Sequence, residues 1–303
     1  MNQGCVHREQ IGKPSWLMQW LCESDRAPEP TWRERLSRGE VWIDGEPAKT
    51  DQLLRPGQWL EWHQPPWDEP EVPLSFDVLH EDGALVAVSK PSGLPTLPGG
   101  GFQDHTLYSL VRDRFGKVNP AHRLGRATSG IVLFTRTAEA AAKVQRAWPF
   151  ADKRYLALAQ GRVSWELKAL TTPIGQVPYG PTGTVHAASP AGKEAHSVAR
   201  VLDRRPDSTL LEVRIFTGRP HQIRIHLAAA GHPLVGDPLY GPDGLPKPDS
   251  AAVPGDGGYF LHAQKLSLKH PFSGAQLDLV APVEAQGPWR YRPLSLPAPT
   301  PGE

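Results

Sequence analysis

The stretch HRLGRATSGIVLF, residues 122–134, joins a basic loop of small residues to an apolar run. The run at residues 130–134 predicts a buried strand. In the loop, two arginines and a histidine stand beside residues that permit tight turns, which suits a site for an anionic ligand. Arg112, Arg114 and Lys117 lie just upstream and extend this basic cluster. A solvated surface is the alternative interpretation, because basic runs usually face water.

A second stretch, TGRPHQIRIHLAAAG at residues 217–231, predicts a helix. Pro220 fits the first turn of such a helix, and Gly231 fits its carboxyl-terminal cap. Ile223 and Leu227 share one helix face with Ala230, which indicates that the helix packs against a core.

Cations lie near the predicted start of this helix, where the helix dipole disfavours them. They are Arg219, His221 and Arg224. A phosphate or a buried carboxylate at this end would remove the conflict. His221 and His226 are five residues apart and point to different helix faces, so their spacing does not favour a metal site. A core helix with basic residues on its surface is the alternative.

The third segment, DKRYL at residues 152–156, places Tyr155 at the start of a predicted strand over residues 155–159. A tyrosine in this position commonly packs in the core with its hydroxyl in water. A functional role for Tyr155 requires that the two basic segments lie nearby in the fold.

Short apolar runs predict further strands at residues 84–89 and 210–215, and a helix is expected over residues 138–148. The strands and helices intermix without a regular strand–helix repeat. We therefore predict an α+β fold with a mixed, largely antiparallel sheet and flanking helices. The region 242–258 predicts an exposed loop.

Before this domain, residues 14–63 predict a small α/β module with two short helices and an Asp-Gly hairpin at residues 39–46. The order of elements resembles the RNA-binding module named after ribosomal protein S-four. The resemblance implies phosphate contacts for Arg33, Arg35 and Arg38. A small interaction domain with solvated arginines is the alternative.

A proline-rich stretch over residues 64–73 indicates a linker. We therefore predict the RNA-binding-like module at residues 1–66 and the main domain at residues 74–290. A disordered tail is expected at residues 291–303.

The formal net charge is +1, so any case for a nucleic-acid partner rests on local patches. Cys5 and Cys22, the two cysteines, cannot make a disulfide framework or a four-ligand zinc site. The amino terminus lacks a signal-peptide pattern, and no apolar run approaches the roughly 20 residues that span a bilayer. We expect a soluble, cytoplasmic monomer with no membrane partner.

Five ordered segments carry a family resemblance: KPSGLPTLPGGG, HRLGRATSGIVLF, KRYLALAQG, TGRPHQIRIHLAAAGHPLVGDPLYG and LHAQKLSLKHP. Over roughly residues 74–280 the chain resembles RluA-type pseudouridine synthases. The resemblance implies isomerisation of selected uridines in ribosomal or transfer RNA, with neither a cofactor nor a metal.

The family writes its catalytic loop H-R-L-D-R-x-T-S-G, and Gly125 stands at the place of the essential aspartate. The resemblance implies that Tyr155 stacks on the base and helps to remove a proton, and that Arg224 occupies the position that pairs with the aspartate. It also implies a set of residues that contact the substrate: His122, Arg123, Arg126, Thr128, Arg219, His221 and Gln222.

Breaking the bond from ribose to uracil calls for a carboxylate near the sugar, which Gly125 cannot supply. Three interpretations remain open: a catalytically silent RNA-binding pocket, a different chemistry, or a substitute acid, for which Asp104 is the candidate. Arg224 is expected to lack its carboxylate partner, with phosphate or water beside it. Asp237 is expected to form a turn rather than to act as an acid.

Overall fold

The structure, a computed structural model, describes residues 2, 4–23, 28–64, 66–283 and 288–289. The chain divides into two units, Met1–Pro70 and Glu71–Glu303. Each unit has a hydrophobic core of its own, as independently folding domains do. The tail predicted at residues 291–303 lies outside the described residues.

The amino-terminal unit is built from short strands and two short helices. In chain order its described elements are β1 (Cys5–Gln10), β2 (Ser15–Trp16), α1 (Leu17–Glu23), α2 (Glu29–Ser37), β3 (Val41–Ile43), β4 (Glu46–Pro47), β5 (Leu53–Leu54) and β6 (Trp59–Gln64). Four of the strands form an antiparallel sheet in the order β1-β6-β3-β4, and β2 pairs with β5.

The β3–β4 hairpin turns at Asp44 and Gly45, whose φ angles are 51° and 86°. An Asp-Gly pair favours this conformation, because glycine adopts positive φ without strain and aspartate tolerates it. Trp32 and Trp62 are buried in the core of this unit and pack edge to face, with their ring centroids 6.2 Å apart. The predicted hairpin is therefore present, whereas the sequence patterns had not indicated β1.

The arginines predicted to contact phosphates lie in helix α2 or at its carboxyl-terminal cap, and each contacts a side chain of that helix. Arg33 pairs with Glu29, Arg38 pairs with Glu34 at 2.6 Å, and the Arg35 guanidinium lies 5.1 Å from the Trp32 ring centroid. Exposed pairs of this kind are weak and exchange readily with other anions. RNA binding by this module stays a prediction.

The second unit carries the five sequence segments that define the main domain. Its described elements are β7 (Asp77–Glu81), β8 (Leu85–Lys90), α3 (Leu107–Phe115), β9 (Asn119–Pro120), β10 (Ser129–Thr135), α4 (Ala138–Ala147), β11 (Asp152–Gln160), β12 (Leu167–Leu170), β13 (Ile174–Tyr179), β14 (Gly183–Ala188), β15 (Ser197–Arg204), β16 (Ser208–Ile215), α5 (Gln222–Ala229), β17 (Leu261–Lys269) and β18 (Gln276–Val280). Short 3₁₀ turns follow α4 and β13.

One large sheet organises this unit, with strands in the order β12-β15-β16-β11-β17-β10-β8-β7. β18 adds to β17, β9 adds to β10, and β13 and β14 form a separate hairpin. β10 and β17 are parallel, whereas the other described pairs of this sheet are antiparallel. The predicted α+β fold with a mixed, largely antiparallel sheet is confirmed.

Local sequence explains where the helices begin and end. Thr106 and Thr137 cap α3 and α4 by accepting hydrogen bonds from Ser109 N and Ala140 N, which satisfies backbone donors that a helix start leaves free. Gly116 follows α3 with a φ of 77°, a conformation in which glycine commonly terminates helices.

Apolar side chains on the two faces of β8 pack with different helices. Val86 and Val88 pack in the cluster that contains α3, whereas Leu85 and Ala87 pack with α4. This division follows from the alternation of side chains along a strand.

Helix α5 differs in part from its prediction. Ile223, Leu227 and Ala230 pack against the core as expected, and Gly231 ends the helix with a φ of 86°. The helix begins at Gln222 rather than at Pro220, because His221 has a left-handed φ of 54°. Among the described residues, no helix is both long and apolar enough to cross a membrane.

Candidate active site

The central strands bring two of the three predicted site segments side by side. Tyr155 of β11 and Gly130 of β10 both pair with Ala263 of β17, one from each side. A side chain at residue 130 would collide with the Ala263 carbonyl, and the φ of Gly130 is 103°. Glycine is required there because the strands approach closely and the backbone takes a conformation that other residues avoid.

Tyr155 lies between the parts of the core that hold the other segments. It packs against one cluster that contains Ala127, Ile223 and Tyr259, and against another that contains Leu124. Burial raises the pKa of the Tyr155 phenol to about 12. The phenol is therefore protonated at neutral pH and can donate a hydrogen bond.

Arg224 has a carboxylate partner, contrary to the expectation from the sequence. Its Nε donates to Asp237 Oδ2 at 2.7 Å and its Nη2 donates to Asp237 Oδ1 at 2.8 Å. Both side chains are almost fully buried, at 2% and 1% exposure. Such a two-point contact matches the planar guanidinium to the planar carboxylate.

Asp237 was expected only to form a turn, and it does more. Its Oδ1 accepts hydrogen bonds from the backbone N–H groups of Leu239 and Tyr240, as a turn former does. The same carboxylate is the buried acid that holds Arg224, thirteen residues away. It therefore supplies the buried carboxylate that the basic start of α5 requires.

The electrostatics of this pair keep both groups charged. Burial alone would raise the pKa of Asp237, but the hydrogen bond and the charge of Arg224 bring the pKa below its usual value. Burial opposes charge on Arg224 as well, yet its pKa is raised by Asp237 and by the nearby tyrosines. Two rings flank the guanidinium, with centroids 4.3 Å away for Tyr259 and 4.9 Å away for Tyr240, distances typical of cation–π contacts.

At Gly125 a tyrosine occupies the space into which a side chain would extend. A Cβ atom added at Gly125 would lie 2.9 Å from Tyr259 Oη and 3.6 Å from Thr128 Oγ1. Thr128 Oγ1 and Tyr259 Oη are themselves 3.3 Å apart. The motif comparison singled out Gly125 and Thr128 but missed Tyr259, because a tyrosine before an apolar strand carries no catalytic pattern by itself.

His122 anchors the start of the loop. Its Nε2 accepts a hydrogen bond from Leu133 N at 3.1 Å, and its ring centroid lies 4.7 Å from that of Trp148. Burial, with a contribution from the charge of Lys153, lowers the pKa of His122 to about 4. The imidazole is neutral at physiological pH and fixes the loop to β10.

Arg126 is held by the long loop that precedes β17. Its Nε donates to Gly255 O at 2.9 Å, and its Nη2 lies 3.7 Å from Asp256 Oδ1. Arg224 Nη1 contacts Pro254 O in the same loop at 3.4 Å. Residues 242–258 are largely exposed, as predicted, but this loop also packs against two arginines of the candidate site.

Lys90 joins the loop to strand β8. Its Nζ donates to the carbonyl oxygens of Pro91, Leu94 and Arg126 at 2.8, 2.6 and 3.0 Å. The KPSG segment therefore contributes a buried tether that restrains the loop carrying Gly125.

Gln222 uses its side chain to fix the start of α5. Its Oε1 accepts from Thr217 Oγ1 and from Arg219 N, and its Nε2 donates to His196 O and Ser197 Oγ. Since these contacts use both ends of the amide, Gln222 positions the basic segment around it.

His221 and Arg219, before the start of this helix, contact groups from other segments. His221 Nδ1 is 2.7 Å from Tyr240 Oη, and Arg219 Nε donates to Glu194 O at 2.9 Å. Burial lowers the pKa of His221 to about 3, and the charges of Arg224 and Arg123 act in the same direction. Arg123 is exposed and is available to a phosphate.

Asp104 does not supply the carboxylate that reaches Arg224; Asp237 does. The Asp104 side chain is exposed, and its backbone carbonyl accepts a hydrogen bond from Thr106 N at the start of α3. His226, five residues after His221, contacts Ser197 Oγ and Thr172 O. Within the described part of the chain, no group of three or more potential metal ligands gathers.

A cavity of about 600 Å³ lies against the loop and β17. Ala127, Ser129 and Tyr259 line part of it, whereas Tyr155 and Arg224 are not among its lining residues. Its volume is in the range that receives small ligands. Tyr259 therefore lines this cavity and also packs against the Arg224 guanidinium.

The sequence and fold of this chain are similar to those of RNA pseudouridine synthases. The family model for RNA pseudouridylate synthase matches residues 84–229. An uncharacterized RNA pseudouridine synthase of Synechocystis sp. is 42% identical over 83% of this chain and 88% of its own length. RNA pseudouridine synthase 5 of Arabidopsis thaliana is 38% identical over 93% of this chain and 94% of its own. The chain belongs to the RNA pseudouridine synthase family.

A further relative agrees with this assignment, and a solved structure shares the fold. The ribosomal large subunit pseudouridine synthase D of Xanthomonas campestris is 33% identical over 83% of this chain and 81% of its own. The structure of human RNA pseudouridylate synthase domain containing 1 superposes with a TM-score of 0.57 at 23% identity, covering 71% of this chain and 86% of that one. The likeness to the human structure concerns the fold alone. The RluA-type resemblance read from five segments is confirmed.

Proposed function

We propose that this protein converts uridine to pseudouridine in ribosomal or transfer RNA. The observation that carries the proposal is the convergence around β17. Tyr155 and Gly130 flank Ala263, and Tyr259 links the loop at Gly125 to Arg224. Family membership supports the reaction class.

The reaction requires that the target base leave the RNA stack, because its reacting atoms are otherwise enclosed by neighbouring bases. Tyr155 offers an aromatic face and a protonated hydroxyl at the centre of the site. Arg123 and Arg126 flank the loop and suit backbone phosphates, which supply most of the affinity in RNA binding. The buried Arg224–Asp237 pair fixes the Arg224 guanidinium beside the Tyr259 ring.

Release of tritium tests the proposal directly. RNA labelled with tritium at uracil C5 loses that tritium when C5 forms the new bond to ribose. Purified protein is expected to release tritium from ribosomal or transfer RNA transcripts, and Tyr155→Phe is expected to reduce the rate by about 100-fold, as on removal of a hydrogen-bond donor from a reacting site. Absence of release from both RNA classes would refute the proposal.

Gly125 favours a second candidate, a protein that binds RNA on the same scaffold without catalysis. In that case RNA affinity falls steeply as salt rises, with a slope set by the number of phosphates contacted, while no tritium is released. Measuring binding and release on the same RNA separates the two candidates. Absence of binding even at low salt would refute both.

A further inference from the structure

Glycine at position 125 is not required by its backbone. Unlike Gly130, whose φ is 103°, Gly125 does not adopt the left-handed conformation that other residues avoid. The contact that opposes a side chain here is the hydroxyl of Tyr259, 2.9 Å from the place of Cβ. The segment before β17 thus places a phenol hydroxyl beside the loop where residue 125 has no side chain of its own.

Tyr259 is held in place by the groups around it. Its ring packs 4.3 Å from the Arg224 guanidinium, whose own position is set by two hydrogen bonds to Asp237. Its side chain is buried, at 5% exposure, and Thr128 Oγ1 lies 3.3 Å from its hydroxyl. A ring fixed in this way delivers its oxygen to one place, as a reacting group requires.

Asp237 is a poor alternative source of the missing carboxylate. Both of its oxygens bind Arg224, and one also accepts two backbone N–H groups. Releasing it would leave a buried guanidinium without a partner, which is costly. Tyr259 Oη, in contrast, has a single described contact, at 3.3 Å to a hydroxyl that can act as donor or acceptor.

Resting on the function proposed above, we propose that Tyr259 is the nucleophile of this enzyme and replaces the carboxylate that its family carries at the position of Gly125. Tyrosine forms covalent intermediates in other enzymes, including glycosidases that lack a carboxylate nucleophile. The atom that the Tyr259 hydroxyl oxygen attacks is the ribose C1′ of the extruded uridine.

The two steps balance without a cofactor. In the first, the phenol oxygen bonds to C1′, the C1′–N1 bond breaks, and the phenol proton is transferred to uracil N1. The base then turns within the site. In the second, uracil C5 bonds to C1′, the C1′–O bond to tyrosine breaks, and the C5 proton returns to the phenolic oxygen. Two displacements at C1′ restore its original configuration.

The test compares Tyr259→Phe with a matched control, Tyr179→Phe. Tyr179 lies in β13, and its half-buried hydroxyl donates to Ser250 O at 2.8 Å and Ala252 O at 2.7 Å in the loop over residues 242–258, but to none of the residues named in the candidate site. Tritium release by Tyr259→Phe is expected to fall by at least about 1000-fold, as on loss of a nucleophile. Tyr179→Phe is expected to keep wild-type release, and both variants to keep RNA affinity within about threefold.

A second measurement does not depend on how well the variant folds. A single-turnover reaction of the wild-type protein with RNA is quenched with acid, digested with nuclease and protease, and analysed by mass spectrometry. The peptide that contains Tyr259 is expected to carry a ribose-linked nucleotide mass, which a purely structural tyrosine does not acquire. Modification at another residue, or none during turnover, would overturn the assignment.

The outcomes separate this inference from the proposed function. If the wild-type protein releases tritium and Tyr259→Phe does so within about threefold, the protein is an active synthase and Tyr259 is not its nucleophile. If the wild-type protein releases none from either RNA class, the proposed function fails and this inference fails with it. Loss of release together with a Tyr259 adduct supports both.

Discussion

Adding a single carbon at residue 125 tests the geometry on which the site depends. The change is Gly125→Ala, in the wild-type protein and in the Tyr259→Phe background. Within 4 Å of the added Cβ lie Tyr259 Oη at 2.9 Å and Thr128 Oγ1 at 3.6 Å. The first distance is below normal contact and forces a shift, whereas the second is an ordinary van der Waals contact.

The size of the effect follows from what must move. Tyr259 cannot turn aside freely, because its ring lies 4.3 Å from a guanidinium fixed by Asp237. Overpacking of this kind costs about 1–3 kcal/mol of unfolding free energy. The Tyr259→Phe background lacks the hydroxyl oxygen that the added Cβ would meet. There Gly125→Ala is expected to be neutral, or to stabilise the protein by about 0.4–1 kcal/mol because alanine makes the unfolded chain less flexible. The coupling energy between the two sites is therefore about 1–3 kcal/mol.

Guanidinium unfolding of the four proteins, followed by circular dichroism, measures this coupling. Gly218→Ala is the control, because a Cβ at Gly218 meets nothing within 4 Å and its backbone does not have a positive φ. That variant should not be destabilised. An equal cost of Gly125→Ala in both backgrounds would refute the geometry. So would a Gly125→Ala protein as stable as the control.

Three further predictions concern the charges around the site. Asp237→Asn should lower the unfolding free energy by about 3–5 kcal/mol in a denaturant titration, because it leaves the buried Arg224 guanidinium without a carboxylate partner. The control Asp256→Asn, which removes one partner of a half-exposed pair at 3.7 Å, should cost less than about 1 kcal/mol. Equal costs for the two variants would contradict this. Burial lowers the pKa of His221 from 6.5 to about 3 in the folded state. Between those pH values the unfolded state binds more protons, so stability declines as pH falls, by at most about 1.4 kcal/mol per pH unit. Asparagine tolerates the left-handed backbone, so His221→Asn should flatten that slope in unfolding measured from pH 7 to 4; an unchanged slope would assign the effect to another group. Arg123→Ala should reduce the slope of log affinity for RNA against log salt by about 1, and an unaltered slope would show that Arg123 meets no phosphate.

Most of the secondary structure could be predicted because it follows from local patterns. The apolar runs became β8, β10, β11 and β16, and the helix predicted over residues 138–148 became α4. β1 escaped prediction because its residues, CVHREQ, are mostly polar. It is a strand because β6 offers it a hydrogen-bonding edge, and pairing between distant strands leaves little trace in the sequence of either one.

The candidate site could be predicted only in part. The ordered motifs identified the loop at residues 122–130, Tyr155 and Arg224, since each combines charged or aromatic residues with a recognisable local pattern. The expectation that Arg224 lacks a partner was wrong, because Asp237 looked like an ordinary turn residue in Val-Gly-Asp-Pro. It forms that turn and also faces α5, a contact that the spacing of residues does not reveal.

The sequence by itself determined the family and most of the helices and strands, because motifs and periodicity are properties of neighbouring residues. It also determined that residue 125, a glycine, cannot supply a carboxylate. Only the tertiary structure decided what stands in that position instead. Tyr259 is 134 residues from Gly125 in the chain, and it reaches the loop because β10 and β17 run parallel at the centre of the sheet. Contacts between segments so far apart depend on how strands pair and how side chains fill the remaining space, which neither segment specifies alone.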